Sequence, residues 1–209
     1  MTIAILASES QQKVLSAKAF GDSKLLWADS LKVLCSMAAD IYFDLEFQFD
    51  SERVDKLRRL LPRPVFVDCV DRLSSELPAG FFRINAWPTM LSRPAAEVVL
   101  GNAELPPWVS KWFASINWPI EPVQDIIGMI VPRILSTIIN EAFFTLEAGV
   151  SSREDIDLAM KFGTNYPLGP FEWCDAIGAR KVVQLLMALR AQDERYTIAD
   201  SLILQSSTN

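Results

Sequence analysis

The sequence predicts an α/β unit with an open parallel sheet, followed by an all-α unit. Two observations carry this. Short apolar runs alternate with helical stretches over residues 1–125, the order that builds parallel strands joined by crossover helices. After Pro122 the strand-like runs stop and helical periodicity takes over, so the second unit is read over residues 126–209. A chain of 209 residues, half of them hydrophobic and 22% charged, is long enough to bury a sizeable core in this arrangement.

Residues 2–6 (TIAIL) form the first apolar run. A helix is predicted over 12–20 and a second strand over 25–27, which together make a βαβ start. Residues 41–45 are strand-like, and Asp50 is placed to cap a helix that runs to Leu61 and stops at Pro62. The stretches 64–70, 81–87 and 96–100 continue the series of short strands.

In the second unit, 131–148 has helical spacing, with Arg133, Thr137, Asn140, Glu141 and Glu147 gathered largely into one polar stripe. The apolar remainder is wider than contact with one neighbour requires. That width predicts burial on more than one side, against other helices of the unit or against a second copy of the chain. Gly149 ends this helix, and Ser151 with Glu154 has the spacing of a capping box for a helix through Lys161. Gly169 and Pro170 open a third helix predicted to reach Leu189. The polar residues after Leu204 are expected to fray.

Composition excludes several classes of function. A formal charge of −6 provides no excess of Lys and Arg to neutralise phosphates, so neither nucleic acid nor an anionic membrane is an expected partner. No long apolar run or charged-then-apolar leader is present, and a cytoplasmic location is expected. Cys35, Cys69 and Cys174 are widely spaced and odd in number, which suggests free thiols rather than a disulfide framework or a metal site. The sequence contains no histidine, which removes every mechanism that needs an imidazole base or ligand.

Three ordered stretches then stand out: GMIVPRILSTIINEA (128–142), EDIDLAMK (154–161) and NYPLGPFEW (165–173). Together they closely resemble the C-terminal domain of the 3-hydroxyacyl-CoA dehydrogenases. ADIYFDLE (39–46), the stretch 64–77, and 88–99 resemble later parts of that family's nucleotide-binding domain, which is shortened here between Asp29 and Ala39. The resemblance implies a reduced Rossmann-like domain followed by a helical domain that packs on its twin in a homodimer. It also implies a role in fatty-acid metabolism and a cleft for acyl-CoA or another small ligand.

A dinucleotide fold holds pyrophosphate on backbone N–H groups at a helix N-terminus, where glycines permit close approach. The corresponding turn here is ASESQQ (7–12), without glycine and with Glu9 adding a negative charge. Asp29 stands near the place where an acid would meet the NAD ribose. The family's base is a His oriented by a Glu. Glu97 falls on that Glu by its following VVLG, but the segment that should supply the His reads GFFRINAWP (80–88). Asp71 and Arg72 stand about where the family has serines, and Pro132 where its helical motif has Asn.

Glu97 is therefore the one catalytic candidate, as a remnant, and no residue is assigned to cofactor or metal. Asp44, Asp71 and Glu97 are carboxylates that burial could turn into substitute acids or bases. Phe81, Phe82, Trp87, Trp108, Trp112 and Trp118 either line a ligand cleft or fill the core. The expectation is a dimeric binding or interaction protein that uses no cofactor. The alternative is an active NAD-dependent dehydrogenase with an atypical site.

Overall fold

The computed structural model describes residues 1–101 and 103–208, and the chain divides into two compact units, Met1–Met129 and Ile130–Asn209. In the first unit the strands are β1 (Thr2–Leu6), β2 (Lys24–Ala28), β3 (Ile41–Asp44), β4 (Val65–Asp68), β5 (Phe81–Ile84), β6 (Ala96–Val99) and β7 (Ile120–Pro122). They form one sheet in the order β2-β1-β3-β4-β5-β6-β7. Every neighbouring pair is parallel except β5 with β6. This is the mostly parallel, Rossmann-like arrangement expected.

The central strands read as continuous apolar runs because both faces are covered. Ile3 and Ile5 of β1 enter one core while Ala4 and Leu6 enter the other. The first core is aromatic. Phe43 stacks on Phe66 at 4.9 Å between centroids, Phe66 meets Phe113 at 5.3 Å, and Phe113 meets Trp112 at 4.9 Å. Each such pair contributes about 0.5–1.5 kcal/mol beyond its burial.

Trp112 and Phe113 come from α4 (Pro107–Ser115), a helix that the sequence reading did not anticipate, as it did not anticipate β7. The other helices of this unit are α1 (Glu9–Ser16), α2 (Leu31–Ser36) and α3 (Ser51–Arg58). Asp50 caps α3 as expected, accepting from Arg53 N at 2.9 Å. The first helix was expected over 12–20. It begins earlier because Ser8 and Gln11 close a reciprocal capping box around its first turn.

The second unit holds α5 (Val131–Glu147), α6 (Arg153–Thr164), α7 (Pro170–Ile177), α8 (Ala179–Arg190) and α9 (Asp200–Thr208). Pro132 sits in the first turn of α5, where its missing N–H breaks no helical bond. The polar stripe of α5 differs from the expected one. Asn140 is buried, donating to Thr197 O at 2.8 Å and accepting from Ala199 N at 3.0 Å, so it closes backbone groups that would otherwise be unpaired. Ile134, in contrast, is 55% exposed.

Three further expectations are corrected. The cap of α6 is Ser152, with Asp155 N donating to its Oγ at 3.1 Å, one residue beyond the predicted box. The predicted helix from 170 to 189 is two helices, broken at Gly178, whose φ of 92° lies in a region that side chains disfavour. The tail is also ordered: α9 runs through Thr208. Among the described residues no helix is long and apolar enough to cross a membrane.

Candidate functional site

In an open parallel sheet, ligands bind outside the carboxyl ends of the strands, at the point where strand order reverses. Here β1 is followed by β2 on one side and β3 on the other, so the crevice lies above β1 and β3. What occupies it is the side chain of Gln11, from the first turn of α1.

Gln11 Nε2 donates to Ala86 O at 3.1 Å, just past β5, and to Leu45 O at 3.3 Å, just past β3. Its Oε1 accepts from Ser8 N at 3.0 Å and from Ser8 Oγ at 3.2 Å. The carboxamide has two donor hydrogens and two acceptor lone pairs, and all are used. Gln11 N itself donates to Ser8 Oγ at 3.3 Å, and Gln12 N to Ser8 O at 2.8 Å. Gln12 Nε2 turns back to Ala7 O at 2.8 Å. The turn that reads ASESQQ thus binds itself.

A second polar group lies along the same edge. Asn85 follows β5 and is 3% exposed, and Glu97 on β6 is 9% exposed. Asn85 Nδ2 donates to Glu97 Oε2 at 2.8 Å, while Asn85 N donates to Glu97 O at 3.1 Å. Asn85 Oδ1 accepts from Trp87 N at 3.2 Å, and Asp68 Oδ1, at the end of β4, accepts from Ala86 N at 3.1 Å. Ala86 therefore offers its N–H to Asp68 and its carbonyl to Gln11. These contacts run from Glu97 across to α1 and hold residues 85–87 in place.

The other candidates serve different contacts. Asp44 is fully buried and bound on both oxygens by Arg53, at 2.8 Å from Nε and 2.6 Å from Nη2. Asp71 lies 3.9 Å from Cys69 Sγ, and burial together with Asp71 pushes that thiol well above its usual range. Cys174 is pushed up to about 12 by burial, so both thiols are held protonated, and all three cysteines are free.

Arg72 pairs with Glu76 at 3.0 Å and lies over the Phe49 ring. Asp29 is exposed and accepts from Ser30 Oγ at 3.0 Å, and Glu9 is exposed on α1. Of the six aromatic residues considered for a cleft, Phe81, Phe82, Trp87, Trp112 and Trp118 are buried, and only Trp108 is exposed. The core reading holds for those five.

Sequence reasoning did not find Gln11, Asn85, Asp68 or Arg83. Arg83, on β5, is fully buried and donates to the carbonyls of Arg72 and Ile126, the latter at 3.0 Å, with Asp125 at 3.3 Å. Burial pulls its pKa down and Asp125 opposes that shift. A charged residue inside the apolar run of residues 81–84 was the available signal.

The model of the 3-hydroxyacyl-CoA dehydrogenase C-terminal domain matches residues 128–208. Over 76 residues the chain is 42% identical to 3-hydroxyadipyl-CoA dehydrogenase of Escherichia coli strain K12, covering 35% of this chain and 16% of that protein. Through residues 128–208 the chain is similar to the C-terminal domain of the 3-hydroxyacyl-CoA dehydrogenases.

The chain is also 41% identical over 85 residues to 3-hydroxybutyryl-CoA dehydrogenase of Clostridioides difficile, covering 40% of this chain and 30% of that protein. The matched stretches thus span less than a third of these relatives. The fold likeness extends further. The (S)-3-hydroxybutyryl-CoA dehydrogenase of Ralstonia eutropha aligns over 99% of this chain and 93% of its own, with a TM-score of 0.72 and 18% identity. M. tuberculosis FadB2 aligns over the same shares with a TM-score of 0.75 and 13% identity.

Proposed function

We propose that this chain is a 3-hydroxyacyl-CoA dehydrogenase homologue without hydride-transfer activity, acting in the cytoplasm as a dimeric ligand-binding or interaction protein. The observation that carries the proposal is Gln11. A pyrophosphate needs helix N-terminal N–H groups and open backbone at the first βα turn. In this chain the side chain of Gln11 spans that crevice, and Ser8 takes the Gln11 N–H. The residues do not fit the dinucleotide.

The catalytic side leads to the same reading. Abstraction of a hydroxyl proton needs an acceptor within hydrogen-bond reach of the substrate. Glu97 is turned to Asn85, and the carboxylate serves to hold the 85–87 segment. Asp44 is bound by Arg53. The helical unit, matched by the family model, has an apolar face on α6, where Leu158 and Phe162 are exposed one turn apart, and Ile134 of α5 is exposed as well. Burial of such a face against a second copy supports the dimer.

Titration with NADH and separately with acetoacetyl-CoA, followed by tryptophan fluorescence, tests the proposal. The expected result is no saturable response to NADH at micromolar concentration. Saturation with NADH would support the alternative, an active NAD-dependent enzyme of fatty-acid metabolism with an atypical site. Response to acyl-CoA alone would identify the retained ligand class. Light scattering tests the dimer, which a concentration-independent monomer would reject.

A further inference from the structure

We propose that the outer edge of β2 joins two copies of this chain by antiparallel β2–β2 pairing, with Leu26 opposite Leu26. The sheet has two edges, β2 and β7, and they are built differently. β7 is three residues long, Pro122 removes an N–H from it, and Glu121 is exposed, all devices that block pairing. β2 is five residues long with no proline, and Leu25, Leu26 and Trp27 are only half-buried. Leu25 and Trp27 pack toward one core and Leu26 toward the other, so the strand is apolar on both faces, as an interior strand is.

The backbone gives the register. Lys24 N donates to Met1 O at 2.8 Å, so Lys24, Leu26 and Ala28 direct their polar backbone groups at β1. Alternation along a strand then points the N–H and C=O of Leu25 and Trp27 off the free edge. A two-fold axis through Leu26, normal to the sheet, sets Leu25 opposite Trp27 on both sides of the axis. Both are hydrogen-bonded pairs made only from outward-pointing groups. Leu26 meets its own copy in a non-hydrogen-bonded pair with Cα atoms about 4.5 Å apart.

Charge agrees with this register. Lys24 and Asp29 are exposed and join no ion pair among the described residues. Lys24 comes opposite Ala28, and Asp29 comes opposite Ser23, one residue from Lys24 of the second copy. Opposite charges are drawn together and no like charges face each other directly.

The test uses the full chain in a Cys35→Ser background carrying Leu26→Cys, because a Cα separation of about 4.5 Å is within disulfide reach. Mild oxidation is expected to give a covalent dimer as the main species. Leu25→Pro removes an outward N–H but none that bonds β1, and is expected to abolish the cross-link. Leu25→Lys does the same by charge if circular dichroism shows the proline chain unfolded. Absence of the cross-link, or a cross-link unchanged in both variants, overturns the proposal.

Contact through the helical unit is read separately. With both contacts, light scattering gives a mass above the dimer that falls to the dimer in Leu25→Lys. With β2 as the sole contact, the same variant falls to the monomer. A mass unchanged by Leu25→Lys rejects the β2 contact and leaves the helical one standing.

Discussion

The amide of Asn85 and the carboxylate of Glu97 meet at 2.8 Å inside the sheet edge, on neighbouring strands whose backbones are also joined at these residues. The relationship explains how a glutamate can stay buried in a chain that has no histidine to orient. Glu97 holds Asn85, Asn85 accepts from Trp87 N, and the intervening Ala86 bonds both Asp68 and Gln11.

Glu97→Ala is expected to destabilise the chain by about 1–3 kcal/mol, because it leaves the Asn85 amide buried without this acceptor. Asn85→Ala and the double variant complete a cycle in urea unfolding. A coupling of at least about 0.5 kcal/mol is expected for groups in direct contact. Strict additivity would mean that the pair contributes nothing.

Gln11→Ala removes two donors to carbonyls at the ends of β3 and β5 and the acceptor for Ser8 N. A loss of about 1–2 kcal/mol is expected from thermal melts, together with faster hydrogen exchange at Ser8. Unchanged exchange at Ser8 would show that the carboxamide does not hold this turn.

Arg53→Ala takes the bidentate partner from the fully buried Asp44 and is expected to cost about 3–5 kcal/mol. The exposed pair of Lys56 with Glu52, at 2.6 Å, provides the control. Lys56→Ala should stay within about 0.5 kcal/mol of the parent, because water screens an i,i+4 pair at the surface.

Two carboxylates serve the start of α7, and their pKa values are displaced in opposite directions. Lys161, at 2.5 Å, holds Glu172 below the usual carboxylate range, assisted by the N–H of Gly169. Its contribution is present above the unfolded value and is lost as pH falls through the lowered folded one. Burial raises Asp157, against the donations of Phe171 N and Glu172 N. Its contribution is full below the unfolded value and is lost as pH rises through the raised one. Carboxyl-carbon NMR should show Glu172 titrating below the ordinary glutamate value and Asp157 above the ordinary aspartate value, and Lys161→Met should move Glu172 upward. A shift in the opposite direction at either carboxylate would contradict the contacts at this helix end.

Much of the fold was legible because it rests on local signals. Asp50 announced α3, the apolar runs announced the central strands, and Pro132 was compatible with the first turn of α5. α4 and β7 escaped because prolines at 106, 107, 119 and 122 mask their pattern, although Trp112 and Phe113 complete the aromatic core. Asn140 and Ile134 were misplaced because spacing cannot tell which face a loop will cover. The emptied glycine turn was visible in ASESQQ, but not what fills it. Gln11 acts through residues 34 and 75 positions away, and only the folded sheet brings those carbonyls to it.

Consumption of NADH in the presence of acetoacetyl-CoA tests the central claim most directly. Oxidation no faster than in a protein-free control is the predicted result, at any substrate concentration. Saturable turnover above that control, removed by Glu97→Ala in a chain that remains folded, would contradict the account.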